Sequence, residues 1–131
     1  MKRFVQILFV LFSMLAFVGG IRPSVGMSAA TRESAVVEFA ETVKLGDVLL
    51  RGNYLIVHDE ERMARGEACT YVYRGAQIDD TKLVTSFHCI HIEREATPTL
   101  KITFKHRSSP YETPEVMEIQ FAGSKDGHKV P

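Results

Sequence analysis

The residue types with the most chemistry in the shortest span of this chain lie in "SFHCIHIER", residues 86–94, where Cys89 stands between His88 and His91. Thiolate and imidazole are the ligands that zinc and copper take. A cysteine beside a histidine is also half of a nucleophilic site, and a cysteine in an exported chain is ordinarily half of a disulfide. On a strand, side chains two apart share a face. Phe87, Cys89 and His91 then point one way, and His88, Ile90 and Ile92 the other. The same-face pair is Cys89 with His91; His88 can join them on one ion only if a bulge intervenes.

The second cysteine is Cys69. Folding "CTYVYRGAQIDDTKLVTSFHC" as a hairpin around Asp79 places Cys69 opposite Cys89 in the neighbouring strand, although a one-residue slip would turn either side chain to the other face. The expectation is a Cys69–Cys89 disulfide. Two other arrangements are compatible with the same residues: a pair of free buried thiols, or a zinc or copper site built from Cys69, Cys89 and His91 with His58 or His106 in reach. The sequence has no C-x-x-C, no H-E-x-x-H and no methionine shortly after His91 of the kind a blue-copper loop carries. His58 precedes "DEE" and reads as a solvated strand end, and Asp59, Glu60 and Glu61 lack the alternating oxygen ligands and glycine of a calcium loop. His128 lies in a polar tail.

The positioning elements read as strands. Alternation in "AVVEFAETVKLG" puts Val37, Phe39, Val43 and Leu45 on one face. "DVLLRGNYLIVHDEE" holds two apolar pieces around Gly52 and Asn53, which suit a turn or bulge with positive φ. "EERMARGEA" is a single helical turn stopped by Gly66. Strands follow in "ACTYVYRG", over residues 82–94, in "TLKITFKHR" and in "VMEIQFAG", and the tail "SKDGHKVP" is expected to fray. The fold class is therefore all-β, an antiparallel sandwich or small barrel of six to seven strands. Its core candidates are Phe39, Leu55, Val57, Val72, Phe87, Ile102, Phe104 and Phe121.

The first thirty residues differ in character. Lys2 and Arg3 precede an apolar run over residues 4–18, then "GGIRPSVGMSAA", the charged, apolar, small-residue order of a signal peptide. Cleavage is expected after Gly26 or Ala30, leaving residues 31–131 as one β-domain in the periplasm or outside the cell. The run is shorter than the roughly 20 residues of a membrane-spanning helix, so no stable membrane span is expected after cleavage. The chain balances 16 Lys and Arg against 16 Asp and Glu, and loss of Lys2, Arg3 and Arg22 would leave it mildly acidic. Its basic residues are scattered, which argues against nucleic acid as a partner.

No glycine-rich phosphate loop or nucleophile elbow is present, and Ser86 with His88 reads as ordinary strand surface; the expectation is not an enzyme. Tyr54, Tyr71, Tyr73 and Tyr111 would suit a recognition surface, or simply cover a sheet. Leu49, Gly52, Tyr54, Cys69 and Cys89, in "VLLRGNYLIVHDEE" and "GEACTYVYRG…LVTSFHCIHIER", resemble small exported bacterial β-domain proteins, several of them uncharacterised, in which a Leu-x-x-Gly-x-Tyr strand start precedes a cysteine pair. The resemblance covers about 45 residues. It implies an exported β-domain and no activity. The functional expectation is a structural or binding module for a protein or cell-envelope partner, without a cofactor. The alternative is a periplasmic zinc- or copper-binding protein using Cys69, Cys89 and His91.

Overall fold

The computed structural model describes residues 31–131; the expected leader over residues 1–30, with its cleavage after Gly26 or Ala30, lies outside the described residues. The first sheet contains β1 (Arg32–Leu45), β2 (Val48–Asp59), β3 (Thr70–Arg74) and β4 (Leu83–Phe87), hydrogen-bonded in that order. The second contains β5 (Ile90–Glu93), β6 (Lys101–Phe104), β7 (Val116–Gln120) and β8 (Asp126–Lys129), in the spatial order β5-β8-β7-β6. All pairings between strands are antiparallel. The two sheets form a sandwich rather than a barrel, and its strands number eight among the described residues, where six to seven were expected. The described residues include no helix long and apolar enough to cross a membrane.

The long β1–β2 ribbon turns at Gly46 and Asp47, where Gly46 adopts φ +56°, and Leu45 pairs with Val48 across the turn. Positive φ costs glycine nothing. Gly52, expected at a turn or bulge, sits within the continuous β2 at φ +96°, beside the register shift between Phe39 and Val43 of β1. The extra β1 residues there make a bulge, which bends a strand without ending it.

Alternation on these strands divides two apolar layers. Phe39, Val43 and Leu45 of β1, Tyr54 and Ile56 of β2 and Val72 of β3 pack against Val116 and Ile119 of β7 and Phe121, forming the inter-sheet core. The opposite face of the first sheet carries Leu55, Val57, Tyr71 and Tyr73. Near it lies α1 (Glu60–Ala64), whose Arg62 guanidinium stands 4.4 Å from the Tyr71 ring centre. Asp59 caps this helix by accepting from the Arg62 N–H and is fastened to β1 by the Arg32 guanidinium. Both faces of β2 are thereby covered, and Tyr54 through Asp59 are all buried.

Three expectations are corrected here, and one choice between readings is decided. Phe104 is 42% exposed, because β6 is an edge strand and pairs only with β7, across a register shift. Of the two readings of the tyrosines, burial of Tyr54, Tyr71 and Tyr73 favours the one in which they cover a sheet. The single strand expected over residues 82–94 is two strands, β4 and β5, in different sheets, with the crossing at His88 and Cys89. The tail expected to fray instead forms β8, an inner strand of the second sheet.

An ion pair between an exposed arginine and a buried glutamate braces that second sheet. Arg94, following β5, donates from Nε and Nη2 to both carboxylate oxygens of Glu118 on β7, at 2.8 and 2.7 Å. The pair passes close over Gly127 of β8, where an added Cβ would press on the Glu118 carboxylate. The Arg94 hydrogen bonds, opposed by burial, hold the Glu118 carboxyl below its ordinary value of 4.5. A carboxyl depressed by folding contributes stability that is present above the unfolded value and lost as pH falls through the folded one. Glu118→Gln should therefore flatten the acid limb of a plot of urea midpoint against pH below about 4.5. An acid limb identical to wild type would show that the pair carries no pH dependence.

Candidate metal centre

The inner face of β2 runs Tyr54, Ile56, His58, so the same alternation that seats two core residues also turns His58 inward. It is 1% exposed, not the solvated strand end that the following acidic run suggested. Across the sandwich, His91 of β5 and His128 of β8 are directly paired in the antiparallel register. His128 is also 1% exposed, covered by Phe121, whose ring centre lies 5.7 Å away. His91 is exposed and forms the solvent side of the group.

The three imidazoles meet. His58 stacks on His128 with ring centres 4.0 Å apart, and His91 stands edge-on to both, at 5.4 Å from His58 and 5.0 Å from His128. Cys89 Sγ reaches 3.8 Å from His91 Nε2 and 3.6 Å from His128 Nδ1. One ligand atom from each of His58, Cys89, His91 and His128 lies within 4.8 Å of every other. Tetrahedral bonds of the length zinc makes to nitrogen and sulfur would set such atoms roughly 3.3–3.8 Å apart. Closing the group around one ion would require the His58 and His128 rings to turn out of their stacked arrangement.

Electrostatics prepares the rings for that role. Burial, and then the neighbouring imidazoles, push His58 down to about 4; burial and the charge of His91 push His128 down to about 4. Both are neutral at physiological pH, the form in which histidine binds metal. Three of their buried ring nitrogens, His58 Nδ1 and Nε2 and His128 Nε2, have no hydrogen-bond partner. Leaving a buried polar atom unsatisfied costs about 1–3 kcal/mol, so the fold keeps these rings at a thermodynamic loss. Glu33 of β1 stands behind them, its Oε2 3.5 Å from His128 Nε2 and 3.9 Å from His58 Nδ1. With His128 ligating through Nδ1, Glu33 would be the carboxylate that orients the ring from behind, a common outer partner of metal-bound histidine.

Cys69 and Cys89 are paired as a disulfide, with Cα atoms 6.2 Å apart. The register that brings them together is one residue off the expected hairpin, since β3 and β4 pair Thr70 with Phe87. The sulfurs still meet because the chain leaves the sheet at His88, and Cys89 folds back until its own N–H donates to Cys69 Sγ. Of the metal set expected from sequence, Cys89 and His91 converge, while Cys69 is not among the convergent ligand atoms. His88 is exposed, and His106 lines a polar groove with Lys105, Arg107 and Glu112, outside this group.

His128 is the ligand candidate that the sequence reading left in the tail, and His58, named there only as an optional addition and preferred as a solvated strand end, is the one it undervalued. The signal was their alternation with apolar neighbours: His58 shares its face with Ile56, and His128 with Val130, which packs on the core. No protein-family model, curated protein or solved structure matches this chain.

Proposed function

We propose that this chain is an exported β-sandwich module that binds a divalent transition metal, zinc or copper, through His58, His91 and His128. The observation that carries this reading is the pair of fully buried, neutral histidines, with both ring nitrogens of His58 and Nε2 of His128 lacking a hydrogen-bond partner, that converge with a third histidine and a cysteine sulfur. Unsatisfied buried polar groups are rare in folded proteins, and an ion is one of the few things that satisfies several at once. Imidazole suits zinc and copper among the common metals. His91 on the solvent side gives the ion a route in and leaves an open position for exchange. The charged, apolar, small-residue order of residues 1–30 supports export.

This reading takes up the metal-binding alternative drawn from the sequence and changes its ligands: His58 and His128 join His91, and Cys69 and Cys89, paired in the bridge, leave the set. It is tested by dialysing the purified domain, with its bridge closed, against zinc and copper(II). Binding of one ion per chain, lost in His128→Ala, is the expected result. Equal uptake by wild type and His128→Ala would place the ion elsewhere.

A further inference from the structure

The three-histidine reading leaves Cys89 Sγ beside two of the ligand rings without a part in binding, and the inference drawn here rests on that reading. A disulfide sulfur is a weak donor; the thiolate is the form of cysteine that binds metal. The two sulfurs are also unequally placed. Cys69 is 1% exposed, whereas Cys89 is only partly buried and adjoins the exposed His91. An incoming thiolate therefore reaches Cys89 first. The departing sulfur is then Cys69, which already receives the Cys89 N–H and lies 3.6 Å from the Thr70 hydroxyl, two groups that would stabilise it as a thiolate.

We propose that the Cys69–Cys89 bridge is a redox gate that decides which ion the centre takes. Closed, the site offers imidazoles alone and holds a divalent ion. Opened by a dithiol reductant, it adds the Cys89 thiolate to His91 and His128, a softer set suited to monovalent copper. In the opening step, one thiolate of the dithiol attacks Cys89 Sγ, the protein S–S bond breaks, and Cys69 leaves with the electron pair and takes a proton. The second thiol of the reductant then attacks its own sulfur in the mixed disulfide and releases Cys89. Two electrons pass from the dithiol to the bridge, the dithiol becomes a disulfide, and the two cysteines gain two protons. Cys89 gives up its proton when copper(I) binds, and the copper does not change oxidation state.

The test uses the domain with its bridge closed, or reduced with a dithiol and freed of reductant without air, each challenged by a copper(I) chelator such as bicinchoninate. The expected result is that the closed form loses copper(I) to the chelator while the reduced form keeps one ion per chain. Cys69→Ser, which leaves Cys89 permanently free, should keep copper(I) without any reductant, and Cys89→Ser should lose it under both conditions. Equal retention by closed and reduced wild type, or retention by Cys89→Ser, would overturn the gate. So would unfolding of the reduced protein in the presence of copper(I), followed by circular dichroism, because a gate requires the open form to fold around its ion. Zinc dialysis of the closed form separates the two readings: failure to bind zinc there overturns the histidine centre itself, whereas normal zinc binding with no redox difference for copper(I) overturns the gate alone.

Discussion

His58→Leu should bind neither zinc nor copper(II), yet leave the metal-free domain at least as stable as wild type. An ordinary core truncation behaves differently, costing roughly 2–5 kcal/mol through lost burial and a residual cavity. His58 is 1% exposed and neither ring nitrogen has a partner, so the folded state carries the desolvation of both. Removing a buried polar group with no partner recovers about 1–3 kcal/mol, against a repacking cost usually below about 1.5 kcal/mol for a hydrophobic group of similar size. Urea unfolding in the presence of a strong chelator measures the balance. A midpoint equal to or above wild type is expected. A loss of several kcal/mol would mean that His58 is held for packing, and the main argument for a ligand would fail.

The second large effect belongs to the bridge. Cys69→Ala/Cys89→Ala should lower the stability of the metal-free domain by roughly 2–5 kcal/mol, the usual cost of losing a native bridge from a small exported domain. The loop-entropy part for a separation of 20 residues is about 3 kcal/mol. The bridge closes the loop containing the β3–β4 hairpin and pins the chain where it crosses between sheets, at the start of β5. Its loss should be felt most by β5, an edge strand paired only with β8. Denaturant unfolding of the double variant against the oxidised wild type checks this. An unchanged midpoint would show that the bridge does not stabilise the fold.

Much of this fold was legible in the sequence because period-two alternation survives wherever one face of a strand is buried. Phe39, Val43 and Leu45 were read onto the inner face of β1, and they lie there. The helical turn ending at Gly66 was equally plain, since Gly66 takes φ +82°. Alternation cannot say where a strand changes sheets. Residues 82–94 keep their pattern through the crossing at His88 and Cys89, so two strands read as one.

The site followed the same division. Cys89 and His91 are two apart, and local geometry was enough to join them. His58 and His128 come from distant strands and meet His91 only through the stacking of two sheets, a relation that no local window contains. Their polar neighbours hid them further. The acidic run after His58 turns out to cap a helix through Asp59, and the "DG" before His128 belongs to an inner strand whose Gly127 lies close against Glu118. In each case a polar neighbour answering to a different local need disguised a buried histidine as surface.

The central claim is that His58, His91 and His128 together hold one metal ion. Nitrogen-15 spectra of the histidine rings, recorded on the closed-bridge domain as zinc is added, test it most directly, because His88 and His106 are controls within the same molecule. The account predicts that the ring nitrogens of His58, His91 and His128 shift together and stop shifting at one equivalent, while those of His88 and His106 stay in place. Shifts confined to His88 or His106, or none at one equivalent, would contradict it.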